Sequence, residues 1–281
     1  MREITTDNIT KAVAKLCADA CYYLTDDVMD CLKNSIQKET APLGKEILST
    51  IVDNAVLAKE TSVPICQDTG VAVVFIKIGQ DVHITGGSLY DAVNAGVAEG
   101  YINGYLRKSV VDDPIFSRVN TKDNTPAVIH TEIVPGDKID ITIAPKGAGS
   151  ENMGAMKMCK PSDGVQGVID FVVDTVKTAG ANPCPPIVVG VGVGGTMEKA
   201  VLLAKESLIR EIGKPNADER YAELEQQILE KINKIGIGPQ GLGGRVTALA
   251  VHIDYYPTHI AALPVAVNLN CHAARHAHVQ L

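Results

Sequence analysis

Three cysteines far apart in this 281-residue chain each sit in a stretch bounded by turn-forming or polar residues. Cys66 lies in PICQDTG, Cys184 in NPCPPIVVGVGVGGT and Cys271 in NLNCHAARHA. None has the apolar helical surroundings of a core cysteine. If the three serve one site, the fold must return to one place from three distant segments. Three thiolates suffice to hold a cubane iron–sulfur cluster, and one of its four irons then lacks a protein ligand. Such an iron acts as a Lewis acid toward a carboxylate or hydroxyl. The pattern points toward addition or elimination of water.

The bulk composition narrows the setting. The chain carries seven cysteines, an odd number, behind an N-terminus (MREITTDNITKAVAKL) without a long apolar stretch or a small-residue cleavage site. That fits a reducing compartment better than a disulfide scaffold, so a soluble cytoplasmic protein is expected. A net charge of -7 argues against nucleic acid and against a polybasic membrane patch. No apolar run approaches the roughly 20 residues needed to span a bilayer. Trp is absent and there are 3 Phe, so the core must rest on Val, Ile, Leu and Ala.

Apolar periodicity predicts a helical start. Ile9, Val13, Leu16, Ala20 and Leu24 recur at helical spacing behind the candidate caps Thr6, Asp7 and Asn8. Thr25-Asp26-Asp27 caps a second helix carrying Val28, Cys31, Leu32 and Ile36, and residues 44–60 read as a third. Next come a strand at 71–78, a helix from Leu89 that ends at Arg107 despite internal glycines, and strands at 127–134 and 138–144. Pro135-Gly136-Asp137 between those two strands reads as a hairpin turn. A helix at 165–178, a buried strand at 187–193, helices at 197–212 and 217–234, and strands at 246–253 and 262–269 follow. With no repeat or linker, the expected fold is one compact α/β (mixed α+β) domain over 1–281. Small mixed or antiparallel sheets are packed by helices, and the helical N-terminal segment, about 1–62, packs onto that body.

Each motif has a plainer reading beside the chemical one. Pro64 and Gly70 set a turn in which Gln67 and Asp68 bring an amide and a carboxylate near the Cys66 thiol, or Cys66 is an ordinary turn cysteine. Prolines on both sides of Cys184 fix the thiol's direction, as they would for a core cysteine beside a proline-rich turn. Small residues after Cys271 leave room around the thiol, and Arg275 has the fork that grips carboxylates. His272 and His276, at i and i+4, would share a helix face, so zinc is a rival there, although no Cys-x-x-Cys pair occurs in the chain. Cys17, Cys21 and Cys31 fall in helical apolar patterns and read as structural, while Cys159 follows a polar loop. The glycine-rich stretch 146–152 offers bare N–H groups to an anion, or merely connects a strand to a helix. Gly190, Gly192 and Gly195, and again Gly236, Gly238 and Gly241, match G-x-G-x-x-G without the strand–helix–strand context of a dinucleotide site. Arg107 at a helix end suits the dipole, and His259 before an apolar strand reads as a core histidine or a site residue.

Taken together, CQDTG, LRKS, KGAGSENM, KPSDG, NPCPPIVVGVGVGGT and PTHIAALPVAVNLNCHAARHA resemble the α subunit of the two-subunit class I (iron–sulfur) fumarate hydratases and the related L-tartrate dehydratases. The resemblance implies a 4Fe–4S cluster on Cys66, Cys184 and Cys271, with substrate at the open iron. It implies Gln67, Asp68, Arg107, Gly149 and His259 as substrate-pocket residues, with Asp68 and His259 as proton donors near the departing hydroxyl. Arg275 joins them as a carboxylate binder on its own chemistry. The family's β region supplies a basic lysine, arginines and a threonine; the chain ends at Leu281 without it, so a separate β subunit is expected. A small dicarboxylate substrate (fumarate or malate) and a higher oligomer of αβ pairs follow from the same likeness. The expected reaction is reversible hydration of fumarate to (S)-malate. L-tartrate dehydration to oxaloacetate is the alternative, and an iron–sulfur redox sensor is the alternative of another class. Cys159 departs from the aliphatic or Met residue expected at its position.

Overall fold

The computed structural model describes residues 2–281. In chain order the first elements are β1 (Arg2–Thr5), α1 (Thr6–Tyr22), α2 (Asp26–Lys38), α3 (Pro42–Thr61), β2 (Val71–Gly79), β3 (Val82–Thr85), α4 (Leu89–Asn103), β4 (Val128–Val134) and β5 (Ile139–Lys146). Then follow α5 (Ala148–Glu151), β6 (Ala155–Cys159), α6 (Gly164–Ala179), β7 (Ile187–Gly194), α7 (Met197–Glu206), α8 (Glu219–Asn233), β8 (Ala248–Tyr256), β9 (Leu263–Asn270) and β10 (Ala277–Gln280). Helix takes 42% of the chain and strand 24%, the mixed α+β architecture that the patterning predicts. Among the described residues no helix is long and apolar enough to cross a membrane. The chain divides into two compact units: the chain through Leu24 with Asn54–Ala148 and Arg275–Leu281, and Thr25–Asp53 with Gly149–Ala274.

In the first unit the Thr5 side chain caps α1 by accepting from the Asn8 N–H. Ile9, Val13, Leu16, Cys17, Ala20 and Cys21 form its buried stripe, which packs with Val93, Val97 and Tyr101 of α4. The glycines inside α4 have a steric reason. A Cβ on Gly96 would lie 2.6 Å from the Thr10 carbonyl, and one on Gly100 2.7 Å from that of Ala14. Helix α4 stops at Asn103, short of the Arg107 end read from sequence, because Tyr105 turns left-handed (φ 51°). The sheet runs β10-β5-β2-β4, with β2 parallel to β4 and antiparallel to β5. The expected hairpin between β4 and β5 is therefore absent. Strand β2 carries the buried run Ala72–Ile76, and so apolar a strand is best placed between two neighbours. Its end docks on the Pro135–Gly136 turn, where Gly79 N donates to Lys138 O and Gln80 N to Val134 O, both at 2.8 Å.

In the second unit the sheet runs β6-β9-β7-β8, with β7 parallel to β8 and antiparallel to β9. Alternation on β7 explains one glycine pattern. Ile187, Val189, Val191 and Val193 join the core with α6 and α8. On the opposite face a Cβ on Gly190 would lie 2.1 Å from the Ala204 carbonyl, and one on Gly192 1.9 Å from that of Ala200. Bare backbone is what lets α7 lie against this strand. Gly192→Ala is expected to push α7 off the sheet and cost about 3 kcal/mol, read from the urea unfolding midpoint; a wild-type midpoint would refute this packing. Helix α7 ends at Glu206, and a 3₁₀ turn (Ser207–Ile209) replaces the extension expected to Ile212. Strand β6 forms where the sequence carries no strand pattern, and it buries Cys159, which follows a polar loop.

Candidate functional site

In the first unit, Cys66 to Gly70 is an irregular segment between α3 and β2, gripped mainly through its carbonyls. The Tyr101 hydroxyl donates to Thr69 O at 2.8 Å, and Asn124 Nδ2 donates to Gly70 O at 3.1 Å. Thr69 Oγ1 donates to Arg107 O at 3.0 Å, which ties the Arg107 loop to the same segment. Arg275 is buried, and its Nη2 donates to the Asp68 carbonyl. The Asp68 carboxylate is oriented at both oxygens: Oδ1 accepts from Gly70 N at 3.0 Å, and Oδ2 from Ala148 N at 2.9 Å. One backbone N–H of the glycine-rich stretch 146–152 thus does meet a carboxyl oxygen, that of the chain's own Asp68. Half-buried Cys66 has its Sγ 3.2 Å from Gln67 Oε1, and Asp68 N lies 3.5 Å from the sulfur. The Arg107 and Gln67 side chains are exposed. This unit therefore gathers Cys66, Gln67, Asp68 and Arg275, with the Arg107 backbone beside them. Behind them, burial pushes the Cys21 thiol up to about 11 against the pull of Arg275, and burial raises Cys17 as well. Both remain thiols at neutral pH, as core cysteines should.

In the second unit, the antiparallel pairing of β7 with β9 places Val188 opposite Asn270. The residues just before β7 therefore meet those just after β9. The result is direct: His272 N donates to Cys184 O at 3.2 Å. Cys184 is exposed and left-handed (φ 54°), a conformation that costs a non-glycine residue about 1 kcal/mol or more. Cys271 is half-buried, with Sγ 3.7 Å from Ala273 O. Residues 271–276 are not helical, so His272 and His276 do not share the helix face that a zinc reading needs. The chain runs irregularly there between β9 and β10, and His272 Nδ1 instead faces Gln240 Nε2 at 3.0 Å. Among the described residues no three His, Cys, Asp or Glu side chains gather as the ligand set of a single metal ion.

His259 stands on an exposed loop at the rim of a cavity of about 560 Å³, lined by Val165, Val168, Tyr221, Leu224 and Leu263. Its Nδ1 accepts from Ala261 N at 3.1 Å, so the neutral ring carries its proton on Nε2. Gly149 is exposed, and a Cβ there would lie 3.2 Å from the Asn182 carbonyl, just before the Cys184 turn. Among the described residues none of the seven cysteines is in a disulfide. Soft thiol donors on irregular, solvent-reachable backbone are the donor chemistry an iron–sulfur cluster requires. Sequence reasoning missed Tyr101, Asn124 and Gln240. Tyr101 could have been read as the next residue on the buried α4 stripe after Val93 and Val97. Asn124 and Gln240 carry no sequence signal.

The sequence pattern of the fumarate hydratase (Fumerase) family matches residues 10–280. A Methanocaldococcus jannaschii protein, provisionally named an L(+)-tartrate dehydratase subunit alpha, is 43% identical over 275 residues, covering 96% of each chain. The L(+)-tartrate dehydratase subunit alpha of Escherichia coli O157:H7 is 36% identical over 98% of this chain and 91% of its own length. That of Shigella sonnei is 35% identical over the same shares. By these matches, which span nearly its whole length, the chain belongs to the fumarate hydratase (Fumerase) family.

Proposed function

We propose that this chain is the α subunit of an iron–sulfur-dependent hydro-lyase that reversibly hydrates fumarate to (S)-malate together with a β subunit. The observation that carries the reading is the β7–β9 ladder, which sets the Cys184 and Cys271 segments side by side at one end of a sheet. Cys66, Cys184 and Cys271 would hold a 4Fe–4S cluster. When bound, such a cluster offers an iron without a protein ligand, a Lewis acid that draws charge from a carboxylate and weakens a C–OH bond.

The chain's own residues bind, orient and donate protons. Arg107 projects from a loop anchored through its own carbonyl, so its guanidinium can take one carboxylate of the dianion. Gln67 adds amide donors, and Gly149 leaves room for close approach to backbone. Arg275 holds the Asp68 turn and supplies positive charge behind it. Asp68, oriented by two backbone N–H groups, and His259, with its proton on Nε2, are the candidates to protonate the departing hydroxyl. Removal of the carbon-bound proton falls to the β subunit. The substrate undergoes no net redox change, so no nicotinamide or flavin is needed.

The names of the relatives favour a second reading, L-tartrate dehydration to oxaloacetate on the same residues. Rates with fumarate, (S)-malate and both tartrates, measured anaerobically on the αβ complex, decide between them. Fumarate and malate are expected to react fastest. Faster L-tartrate turnover would replace fumarate as the substrate. A loaded complex that turns over none of them would leave the redox sensor. Asp68→Asn should lower kcat about 100-fold or more with iron content unchanged; unchanged kcat would remove Asp68 from proton transfer.

A further inference from the structure

The second glycine pattern, residues 236–244, has no part in the proposed chemistry, yet it carries the residue that joins two of the candidate ligand segments. Gln240 is left-handed (φ 53°, ψ 17°), a conformation that costs glutamine about 1 kcal/mol or more and persists only where its surroundings impose it. The surroundings here are specific. Gln240 N donates to Pro185 O at 2.7 Å, and its Nε2 donates to the same carbonyl at 2.8 Å. The same Nε2 lies 3.0 Å from His272 Nδ1. The loop behind it is braced by Gly238 N donating to Thr247 Oγ1 at 3.1 Å and Gly243 N to Ile237 O at 2.9 Å.

The donor arithmetic sets the orientation. The Pro185 carbonyl can only accept, so the amide nitrogen and not its oxygen must face it. The second amide hydrogen then faces His272 Nδ1, an atom that also lies 3.2 Å from the Cys184 carbonyl, so the amide, the imidazole and both segments meet at one point. Pro185 follows Cys184, and His272 follows Cys271. One side chain therefore ties together the neighbours of both thiols, beside the main-chain bond from His272 N to Cys184 O.

We propose that Gln240 is a positioning residue that locks the Cys184 turn to the Cys271–His272 segment and so fixes the spacing of the two thiols. The inference deepens the cluster reading, because it assigns a supporting contact to two of its three ligands. Gln240→Gly is the informative variant, since glycine suits the left-handed backbone, keeps the main-chain bond to Pro185 and removes the side chain with its amide. In the full chain freed of iron, iodoacetamide should alkylate Cys184 and Cys271 about 10-fold faster in this variant than in wild type. Cys66 should be unchanged, and the thermal midpoint should stay within about 3 °C. In the loaded chain, the visible absorbance should bleach in air about 10-fold faster. Gln240→Asn, which tolerates the same backbone but is one methylene shorter, should behave like the glycine variant. Wild-type alkylation rates in Gln240→Gly would overturn the proposal. So would a joint rise at all three cysteines with a falling midpoint, which would mark general loosening. If wild type binds no iron and sulfide, the cluster reading fails, while the alkylation comparison still decides the role of Gln240.

Discussion

Cys271→Ser is expected to strip the chain of iron and acid-labile sulfide, from about four of each to well below one per chain. A serine oxygen is a harder donor than a thiolate and a much poorer ligand for the iron of an iron–sulfur cluster. With three protein attachments, losing one leaves the cluster held at two corners and open to solvent. Turnover should fall about 1000-fold or more, because the Lewis acid goes with it. Cys159→Ser is the control: that thiol is buried in the core at the end of β6, and iron content should persist. Loss of activity in air, with recovery on adding ferrous iron and a reductant, should accompany the wild-type result. Full iron and sulfide in Cys271→Ser would break the proposed ligand set, and zinc without sulfide in wild type would remove the cluster altogether.

Glu39→Ala should cost about 3 kcal/mol or more, the largest stability effect expected from a single polar side chain outside the candidate site. Glu39 is buried just beyond α2 and accepts four backbone N–H bonds: Thr40 at 2.7 Å, Ala41 at 2.9 Å, Arg245 at 2.8 Å and Val246 at 2.9 Å. Truncation leaves the Val246 N–H buried and unanswered and takes the acceptor from three partly buried N–H groups, all within the second unit. Burial by itself pushes the carboxyl up, and the four donors outweigh it, holding Glu39 below its ordinary 4.5. A carboxylate with a depressed folded pKa stabilises the fold above its ordinary value. That contribution is lost as pH falls through the folded value. Urea midpoints from neutral pH to below 4.5 should therefore decline less steeply in Glu39→Gln than in wild type. Equal slopes would show that the charge contributes nothing.

Much of the local architecture is legible in the sequence. The α1 stripe from Ile9 to Cys21 and the buried run of β7 follow from periodicities of 3.6 and 2, which depend only on neighbouring residues. The turn chemistry around Cys66 and Cys184 was visible in the same way. The order of strands was not. Proximity in sequence favoured a β4–β5 hairpin, but β2 took the place between them because its apolar run gains most from two neighbours. Arg107 fell outside its helix because one left-handed residue, Tyr105, ended α4 early. The partners of the candidate site were illegible for a different reason. Tyr101, Asn124 and Gln240 act on backbone carbonyls, and since every residue carries one, no side-chain pattern marks which is used.

The sequence alone determined the type of the longer elements, the mixed α+β class and the chemical identity of the candidate donors: three turn-set thiols, an adjacent carboxylate, and separate arginines and histidines. These are written in local spacing and side-chain type. The tertiary structure alone decided that Asp68 is oriented by Gly70 and Ala148, that Cys184 meets His272, and that Gln240 binds both thiol-bearing segments. Apart from the local Asp68–Gly70 bond, such contacts join residues 32 to 88 positions apart. They are settled by long-range competition for burial and for backbone hydrogen bonds, which no local pattern records.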